Sequence, residues 1–210
     1  VSYLSDPNLG YDLDGTRIVY SSRNAKMFLI DVEKEYEERI FPRTWIAQDA
    51  DYTRRSYPVF AGERVVSRGW DNSGDELKMW VVSGPTWEQT RLDLPYYMPN
   101  YMKADGDWMV YNDQRYWNEL GGSNVEAYLV NLNSIQETRL TEQPMQQFVG
   151  GISGDYVIWE DYSLGPFHEN VVLYRISSGV STYLTDLPTR QFAPAIHGDV
   201  VVWTDLRNGE

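Results

Sequence analysis

The chain of 210 residues carries 31 acidic and 18 basic side chains, a formal net charge of −13, and 14% of its residues are aromatic. This negative charge repels phosphate backbones and anionic lipid surfaces, so we expect no nucleic acid partner. The absence of cysteine excludes disulfides and thiol nucleophiles, and the absence of an 18-residue apolar run predicts no membrane insertion.

Five copies of one pattern divide the chain, and in each copy a glycine precedes a short apolar run. The spacing of these glycines is 44–48 residues. A period in the middle forties, built from strand-like segments, predicts one β-propeller blade per repeat. We therefore expect an all-β chain that forms a single propeller domain over residues 1–210, with repeats starting near residues 10, 57, 101, 148 and 193. The glycines are Gly15, Gly62, Gly106, Gly154 and Gly198.

Each repeat is predicted to form four short strands, named A to D in chain order. In the fourth repeat they span residues 148–152, 156–160, 171–176 and 181–185. The glycine lies in a tight turn between A and B, where it supplies a positive φ. Strand C is apolar on both faces, as expected between neighbouring blades. Strand D alternates polar and apolar residues, which is typical of an outer edge.

The first repeat departs most from this pattern. Its strands C and D are predicted at residues 27–32 and 37–40, and the charge-rich segment 31–39 is interpreted as strand, turn and strand rather than as helix. The following segment, 41–57, is predicted to be the longest irregular connection between one repeat and the next. Long loops in compact folds often carry function, so this one is a candidate binding loop.

The two ends of the chain predict how the propeller closes. Residues 1–6 resemble residues 181–186, so we expect an N-terminal outer strand that completes the last blade and closes a ring of about five blades. The fifth repeat has strands A and B but no obvious strand C. Three explanations stay open: the blade is irregular, the chain is a fragment of a longer array, or a neighbouring molecule supplies the strand. The third would produce a homo-oligomer or a filament by strand donation.

The candidate ligand site lies at the mouth of the central channel, where the connections from D to A and from B to C emerge on one face. The side chains expected there are phenols, amides and guanidinium groups, which suit a carbohydrate or a peptide. The alternative is that they bind one another and ordered water. The candidates are Arg54, Arg55, Tyr57, Tyr97, Asn100, Tyr101, Gln147 and Gln191.

A second motif, Asp-x-Arg-Asn-Gly, follows strand B. It is complete at residues 205–209 and partial in the third and fourth repeats. One Asp and one Arg at fixed positions can form an ion pair or hydrogen-bond the backbone of the neighbouring blade. We therefore predict a structural role, holding the blades in register, for Asp113, Arg115, Asp161, Asp205 and Arg207.

Metal and catalytic chemistry find little support in the sequence. The acidic segment 71–76 could bind Ca²⁺ but lacks the length and spacing of an EF-hand loop, so no cofactor is expected. His168 and His197 are the two histidines, and no Gly-x-Ser-x-Gly elbow or phosphate-binding glycine loop is present. Paired carboxylates of a glycoside hydrolase stay open, although the predicted inner strands offer Asp12 and few other acids. The sequence leans towards a protein that is not an enzyme.

The repeat Pro-Ala-Ile-x-Gly-Asp-x-Val-Val-Trp-x-Asp-x-Arg-Asn-Gly, with a Thr-Arg-Leu-Thr strand D, resembles the TolB-like propeller repeats of prokaryotic periplasmic and cell-surface proteins, including archaeal surface-layer-associated ones. The resemblance is strong in repeats four and five and weak in repeats one and two. It implies export to an extracellular, cell-surface or periplasmic location and a binding or scaffolding role towards a protein or glycan. The alternative function is a polysaccharide lyase or glycosidase with its site at the channel mouth.

Overall fold

The computed structural model describes residues 10–21, 27–33, 44–47, 52–71, 77–84, 88–96, 99–116 and 124–209. Within these ranges the strands form four four-stranded antiparallel sheets and one two-stranded sheet. The chain divides into two compact units, Val1–Asp93 and Leu94–Glu210. In the same ranges no helix has the length and apolar character needed to span a lipid bilayer.

The first unit contains two sheets whose strands pair in chain order. Its core contains Val19 and Met27 from the first sheet and Phe60, Val65 and Val82 from the second. The first strands of the two sheets, β1 and β5, lie side by side. The strands are β1 (Tyr11–Asp14), β2 (Arg17–Ser21), β3 (Met27–Asp31), β4 (Thr44–Ala47), β5 (Tyr52–Ala61), β6 (Arg64–Asp71), β7 (Leu77–Ser83) and β8 (Glu88–Leu92).

The second unit contains the other two four-stranded sheets and the two-stranded sheet. Its core contains residues of the first, second and third strands of its sheets, among them Val149, Trp159 and Val172. The first strands of successive sheets adjoin, β9 against β13 and β13 against β17. The strands are β9 (Asn100–Asp105), β10 (Trp108–Asp113), β11 (Glu126–Asn131), β12 (Gln136–Arg139), β13 (Gln147–Ser153), β14 (Tyr156–Asp161), β15 (Asn170–Arg175), β16 (Val180–Tyr183), β17 (Gln191–His197) and β18 (Val200–Asp205).

The repeat pattern predicted most of these strands to within one or two residues. The five turn glycines adopt the expected left-handed conformation, with φ between 54° and 61°. The fifth repeat forms β17 and β18, and the described residues contain no third strand in that sheet. The predicted closing strand, residues 1–6, lies outside the described residues, so the closure and the number of about five blades stay predictions.

The outer strand of the first sheet was predicted at the wrong place. The strand that pairs with β3 is β4, with Phe28 opposite Trp45 and Leu29 opposite Thr44. Residues 41–57 are therefore not one long loop, since β4 and the start of β5 occupy much of that segment. β-branched and aromatic residues favour an extended strand there. The backbone is helical at residues 32–33, where the end of strand C and the start of a turn were expected, and residues 34–40 lie outside the described part.

Threonines of the Thr-Arg-Leu-Thr pattern fix the outer strands of the second unit. The Oγ1 of Thr141 accepts a hydrogen bond of 2.9 Å from the backbone N–H of Ala127, the second residue of β11. The Oγ1 of Thr185 accepts the same bond from Val171 on β15, also at 2.9 Å. Both donors are buried, and a buried N–H without a partner is costly. The pattern therefore recurs because it satisfies the same backbone group in two sheets.

Candidate functional site

The first strands of the later sheets share a β-bulge. Pairing slips by one residue between Ser56 and Val59 on β5 and between Phe192 and Ala195 on β17, and β9 and β13 have matching irregularities in their pairing with β10 and β14. Bulges redirect side chains and are common beside functional sites.

Three residues at equivalent positions of these bulges have a left-handed backbone. They are Tyr57 (φ 56°), Tyr101 (φ 49°) and Ala193 (φ 52°), each five residues before its turn glycine. A residue with a Cβ atom is strained by about 1–2 kcal/mol in this conformation. The Tyr57 and Tyr101 side chains at these bulges are 44% and 62% exposed.

Side chains at the end of the second strands tie successive sheets of the second unit together at the bulges. The amide Nδ2 of Asn112 donates to the carbonyl oxygens of Gln147 at 2.6 Å and Glu126 at 3.2 Å, while its Oδ1 accepts from the N–H of Val149 at 2.9 Å. Glu160 takes the equivalent position on β14, where its Oε2 accepts from the N–H of Ala193 at 3.1 Å. These contacts connect β10 to β13 and β14 to β17.

A second set of contacts joins the turns of the same sheets. The Oδ2 of Asp105 accepts a hydrogen bond of 2.6 Å from the N–H of Gly154. The Oγ of Ser153 accepts one of 2.9 Å from the N–H of Gly198. In both cases the residue before one turn glycine binds the turn glycine of the next repeat. Successive sheets are therefore connected at the turn as well as at the bulge.

An open cleft of about 470 Å³ lies between the bulges of the second unit. Four aromatic side chains and one carboxylate line it, together with the bulged backbone at residues 149–150 and 193–194. The Tyr101 and Tyr162 rings each meet the Phe148 ring edge to face, both at 5.7 Å between centroids. The side chains are Tyr101, Phe148, Glu160, Tyr162 and Phe192.

Of the two carboxylates in and next to the cleft, Glu169 forms an ion pair with a described residue and Glu160 does not. The guanidinium Nε of Arg190 binds both carboxylate oxygens of the buried Glu169, at 3.0 and 2.9 Å, and its guanidinium carbon lies 4.9 Å from the centroid of the Phe192 ring. Glu160 forms no ion pair with a described residue. Burial, and then the hydrogen bond and charge of Glu160, raise the pKa of Tyr162 well above its usual value. Tyr162 therefore stays protonated and donates to the Glu160 carboxylate.

Three of the predicted ligand residues belong to the first unit. Arg54 and Arg55 lie on β5 opposite Trp70 and Gly69, and not in a loop as predicted. The Tyr57 ring packs on the guanidinium group of Arg68, 4.2 Å from its carbon to the ring centroid. Tyr97 lies outside the described residues.

The other four predicted ligand residues are Asn100, Tyr101, Gln147 and Gln191 in the second unit. Tyr101 is the member of this set that lines the cleft. Gln147 and Gln191 are fully buried and lie on the strands opposite Asp161 and Asp205. Asn100 pairs with Asn112 at the start of β9. A ligand role for the eight predicted residues stays a prediction.

The Asp-x-Arg motif forms local ion pairs. Asp113 Oδ1 accepts from the backbone N–H and the Nε of Arg115, at 3.0 and 2.9 Å, and Arg115 also binds Glu137. Asp205 and Arg207 form the same pair at 2.9 and 2.8 Å. Each pair fixes the loop that follows its own strand. The predicted role in linking neighbouring blades stays a prediction, whereas Asn112 and Glu160 bind the next sheet directly.

In the fourth repeat, Ser163 stands two residues after Asp161, at the position where the third and fifth repeats have arginine. The backbone N–H and the hydroxyl of Ser163 donate to the two carboxylate oxygens of Asp161, at 2.9 and 3.1 Å. The Tyr183 hydroxyl donates to Oδ2 at 2.6 Å and connects the loop to β16. Hydroxyl groups thus take the place of the guanidinium in this repeat.

Asp205 should titrate at unusually low pH. The side chain of Arg207 and then its backbone N–H stabilise the carboxylate and hold the pKa of Asp205 at about 2, below the ordinary 3.8. Because the folded pKa is the lower one, this stabilisation is present above about pH 4 and is lost as pH falls towards 2. Carboxyl NMR should give a midpoint near 2, which Arg207→Gln moves towards 3.8. The control Arg175→Gln, whose guanidinium contacts Asp155, should leave the midpoint unchanged, and an unshifted Arg207→Gln midpoint would contradict the assignment.

The described residues do not bring together three metal-binding side chains. Most of the acidic segment 71–76, considered for Ca²⁺, lies outside the described part of the chain. His168 and His197 are both exposed. His168 donates its backbone N–H to the carbonyl of Gly165 at 3.3 Å.

No sequence profile of a protein family matches the chain, and no curated protein matches it either. Solved structures do. A TolB-type protein of Agrobacterium tumefaciens has a TM-score of 0.65 at 13% identity, over 95% of this chain and 71% of that one. TolB of Acinetobacter baumannii has a TM-score of 0.60 at 17% identity, over 96% and 52%. The chain has a TolB-like β-propeller fold.

The TolB-like fold confirms the β-propeller fold that the repeat pattern predicted. The tricorn protease is also similar, with a TM-score of 0.71 at 15% identity. The matched region covers 97% of this chain and 19% of the protease. The same fold therefore occurs inside a peptidase as well as in TolB proteins. At these identities the likeness concerns the fold, so the function has to be argued from the site.

Sequence reasoning missed several residues of the cleft and of the contacts between sheets. Phe148 and Phe192 both lie six residues before a turn glycine, and this recurrence was a usable signal. Asn112 and Glu160 both lie six residues after one, but an amide and a carboxylate at the same position give no repeat signal. Tyr162 follows a motif Asp in one repeat and lacks a counterpart in the fifth, where Leu206 stands.

Proposed function

We propose that the protein is a binding or scaffold propeller that acts outside the cytoplasm on a protein or glycan partner. The observation that carries this proposal is the aromatic cleft of the second unit. Clustered aromatic side chains with a few fixed polar groups are typical of ligand sites and of interface hot spots. The extracytoplasmic location rests on the resemblance of the repeat to TolB-like repeats. Closure as about five blades belongs to the same proposal.

The chemistry of the cleft favours binding over catalysis. Glycoside hydrolysis commonly needs two carboxyl groups on either side of the bond that breaks, and the side chains described at the cleft include one, Glu160. Tyr162 is a poor candidate for a base, because burial and the Glu160 charge raise its pKa. The tyrosine is therefore better suited to hold Glu160 in place than to accept a proton.

The test uses the full chain on a glycan array and in pull-down experiments with extracytoplasmic proteins, followed by affinity measurement for each partner found. Tyr101→Asn removes a cleft ring but keeps a residue type that tolerates positive φ, so it should weaken binding about thirtyfold or more, as expected of a hot spot. Tyr11→Asn is the matched control, because Tyr11 is also exposed, at 60%, and lies outside the cleft.

Two outcomes would contradict the proposal. One is release of reducing ends from a polysaccharide that is lost in the Tyr101→Asn variant, which would favour the polysaccharide-active enzyme. The other is equal loss of affinity in the Tyr101→Asn and Tyr11→Asn variants, which would remove the cleft from the binding surface. Self-assembly by strand donation is a separate prediction that light scattering tests.

A further inference from the structure

We propose that the cleft of the second unit binds an alkylammonium group. This inference rests on the proposed function and narrows its ligand to one chemical class. Two sources could supply the group, a lysine side chain of a partner protein, methylated or not, or a free small molecule with a quaternary ammonium. The chemistry of recognition is the same in both cases.

The aromatic side chains that line the cleft are arranged so that they can contact a cation. The edge-to-face contacts set the Tyr101 and Tyr162 rings at 65° and 87° to the Phe148 ring, so the three rings do not stack into one flat surface. Rings that surround a space from several directions can direct their electron-rich faces at one cation, as in aromatic cages. Phe192 already has such a contact, with the Arg190 guanidinium on its ring.

The Glu160 carboxylate gives the cleft a negative charge that no cation of the described residues neutralises. Its residue is 9% exposed, and a buried carboxylate is costly unless a cation or several donors compensate it. The donors present are neutral, the N–H of Ala193 and the hydroxyl of Tyr162. They fix the carboxylate at the cleft wall but leave its charge in place. Arg190 pairs with Glu169 and also contacts Tyr162, so the carboxylates of Glu160 and Glu169 and this one guanidinium leave the cleft with a net negative charge.

Other cations suit the cleft less well. Ca²⁺ requires six or more oxygen ligands, and the lining offers one carboxylate. A guanidinium group is best bound by two free carboxylate oxygens in one plane, whereas one Glu160 oxygen is held by the N–H of Ala193. An alkylammonium group needs only aromatic faces and one nearby negative charge. Its methylated forms are in addition bulky and weakly hydrated, unlike the primary ammonium of lysine.

Calorimetric titration of the full chain with choline and with its neutral isostere 3,3-dimethyl-1-butanol tests the charge requirement. Choline should bind at least about tenfold more tightly than the isostere. Glu160→Gln can still accept from the N–H of Ala193 and should weaken choline binding about tenfold without changing binding of the isostere. The control Glu142→Gln removes the same charge from an exposed residue outside the cleft and should leave both affinities unchanged.

Nα-acetyl-lysine methylamide and its trimethylated form distinguish the two sources. Tighter binding of either lysine compound than of choline indicates a partner protein, and the reverse indicates a free quaternary ammonium. The inference is overturned if none of the three cations binds, if the isostere binds as tightly as choline, or if Glu160→Gln and Glu142→Gln behave alike. A partner captured through Tyr101 would then still support the proposed function, so the two failures are distinguishable.

Discussion

Replacing Asn112 with alanine is expected to lower the stability of the second unit by about 3 kcal/mol. The change removes three hydrogen bonds and leaves the carbonyls of Gln147 and Glu126 and the N–H of Val149 without this partner. Asn112 is fully buried, so water cannot replace the side chain without opening the structure. Native-state hydrogen exchange of the β13 amides measures the loss at the strands concerned.

Asn131→Ala is the matched control for this measurement. The Oδ1 of Asn131 accepts two hydrogen bonds of 3.0 Å, from the N–H groups of Asn133 and Ser134, but in an exposed turn. Water can replace those bonds, so we expect a loss of about 1 kcal/mol or less. Equal protection of β13 in the Asn112→Ala protein and the wild type would mean that Asn112 does not hold the two sheets together.

Replacing Gly150 with alanine is expected to cost about 3 kcal/mol or more and to disturb the cleft. A Cβ atom at this position would lie 2.3 Å from the carbonyl oxygen of Pro194 and 2.8 Å from its Cγ. The obstacle includes backbone, so β13 and β17 must move apart. Denaturant unfolding should show the lost stability, and the partner of the cleft should bind the folded variant more weakly.

Gly154→Ala separates crowding from backbone preference. Gly154 has a φ of +54°, which an alanine adopts at a cost of about 1 kcal/mol, but no atom lies within 4 Å of the added Cβ. We therefore expect the Gly150 variant to be the less stable of the two. The reverse order would show that the close approach of β13 to Pro194 relaxes easily.

The fold was largely predictable because each repeat is bounded by a residue with a strict conformational role. Five glycines with positive φ mark the turns between first and second strands, and the apolar runs on either side leave little freedom for the strands. The prediction failed between β3 and β5. There the chain has no glycine to mark the turn, and charged residues at 37–40 resembled an outer strand more than Thr44–Ala47 did.

The site was less predictable than the fold, because the burial of its side chains depends on strand register and their convergence depends on the spacing between sheets. Polar side chains near the expected channel mouth looked like ligand groups, but burial depends on the register of strands that the sequence does not specify. Gln147 and Gln191 are fully buried, whereas Tyr101 is 62% exposed because a bulge directs it outward. Of the four cleft aromatics, Tyr101 was among the predicted ligand residues, whereas Phe148, Tyr162 and Phe192 were not. Their convergence depends on the spacing between sheets, which requires three-dimensional coordinates.

The turn contacts of the second unit bear on how such an array can evolve. The fourth repeat donates through the N–H of Gly154 to Asp105 and accepts through the Oγ of Ser153 from Gly198. The fourth repeat therefore supplies a hydrogen-bond donor to the preceding repeat and an acceptor to the following repeat. Duplication or deletion of a whole repeat would form the same turn contact at the new boundary. Arrays of this kind can therefore change length by unequal recombination without new compensating mutations.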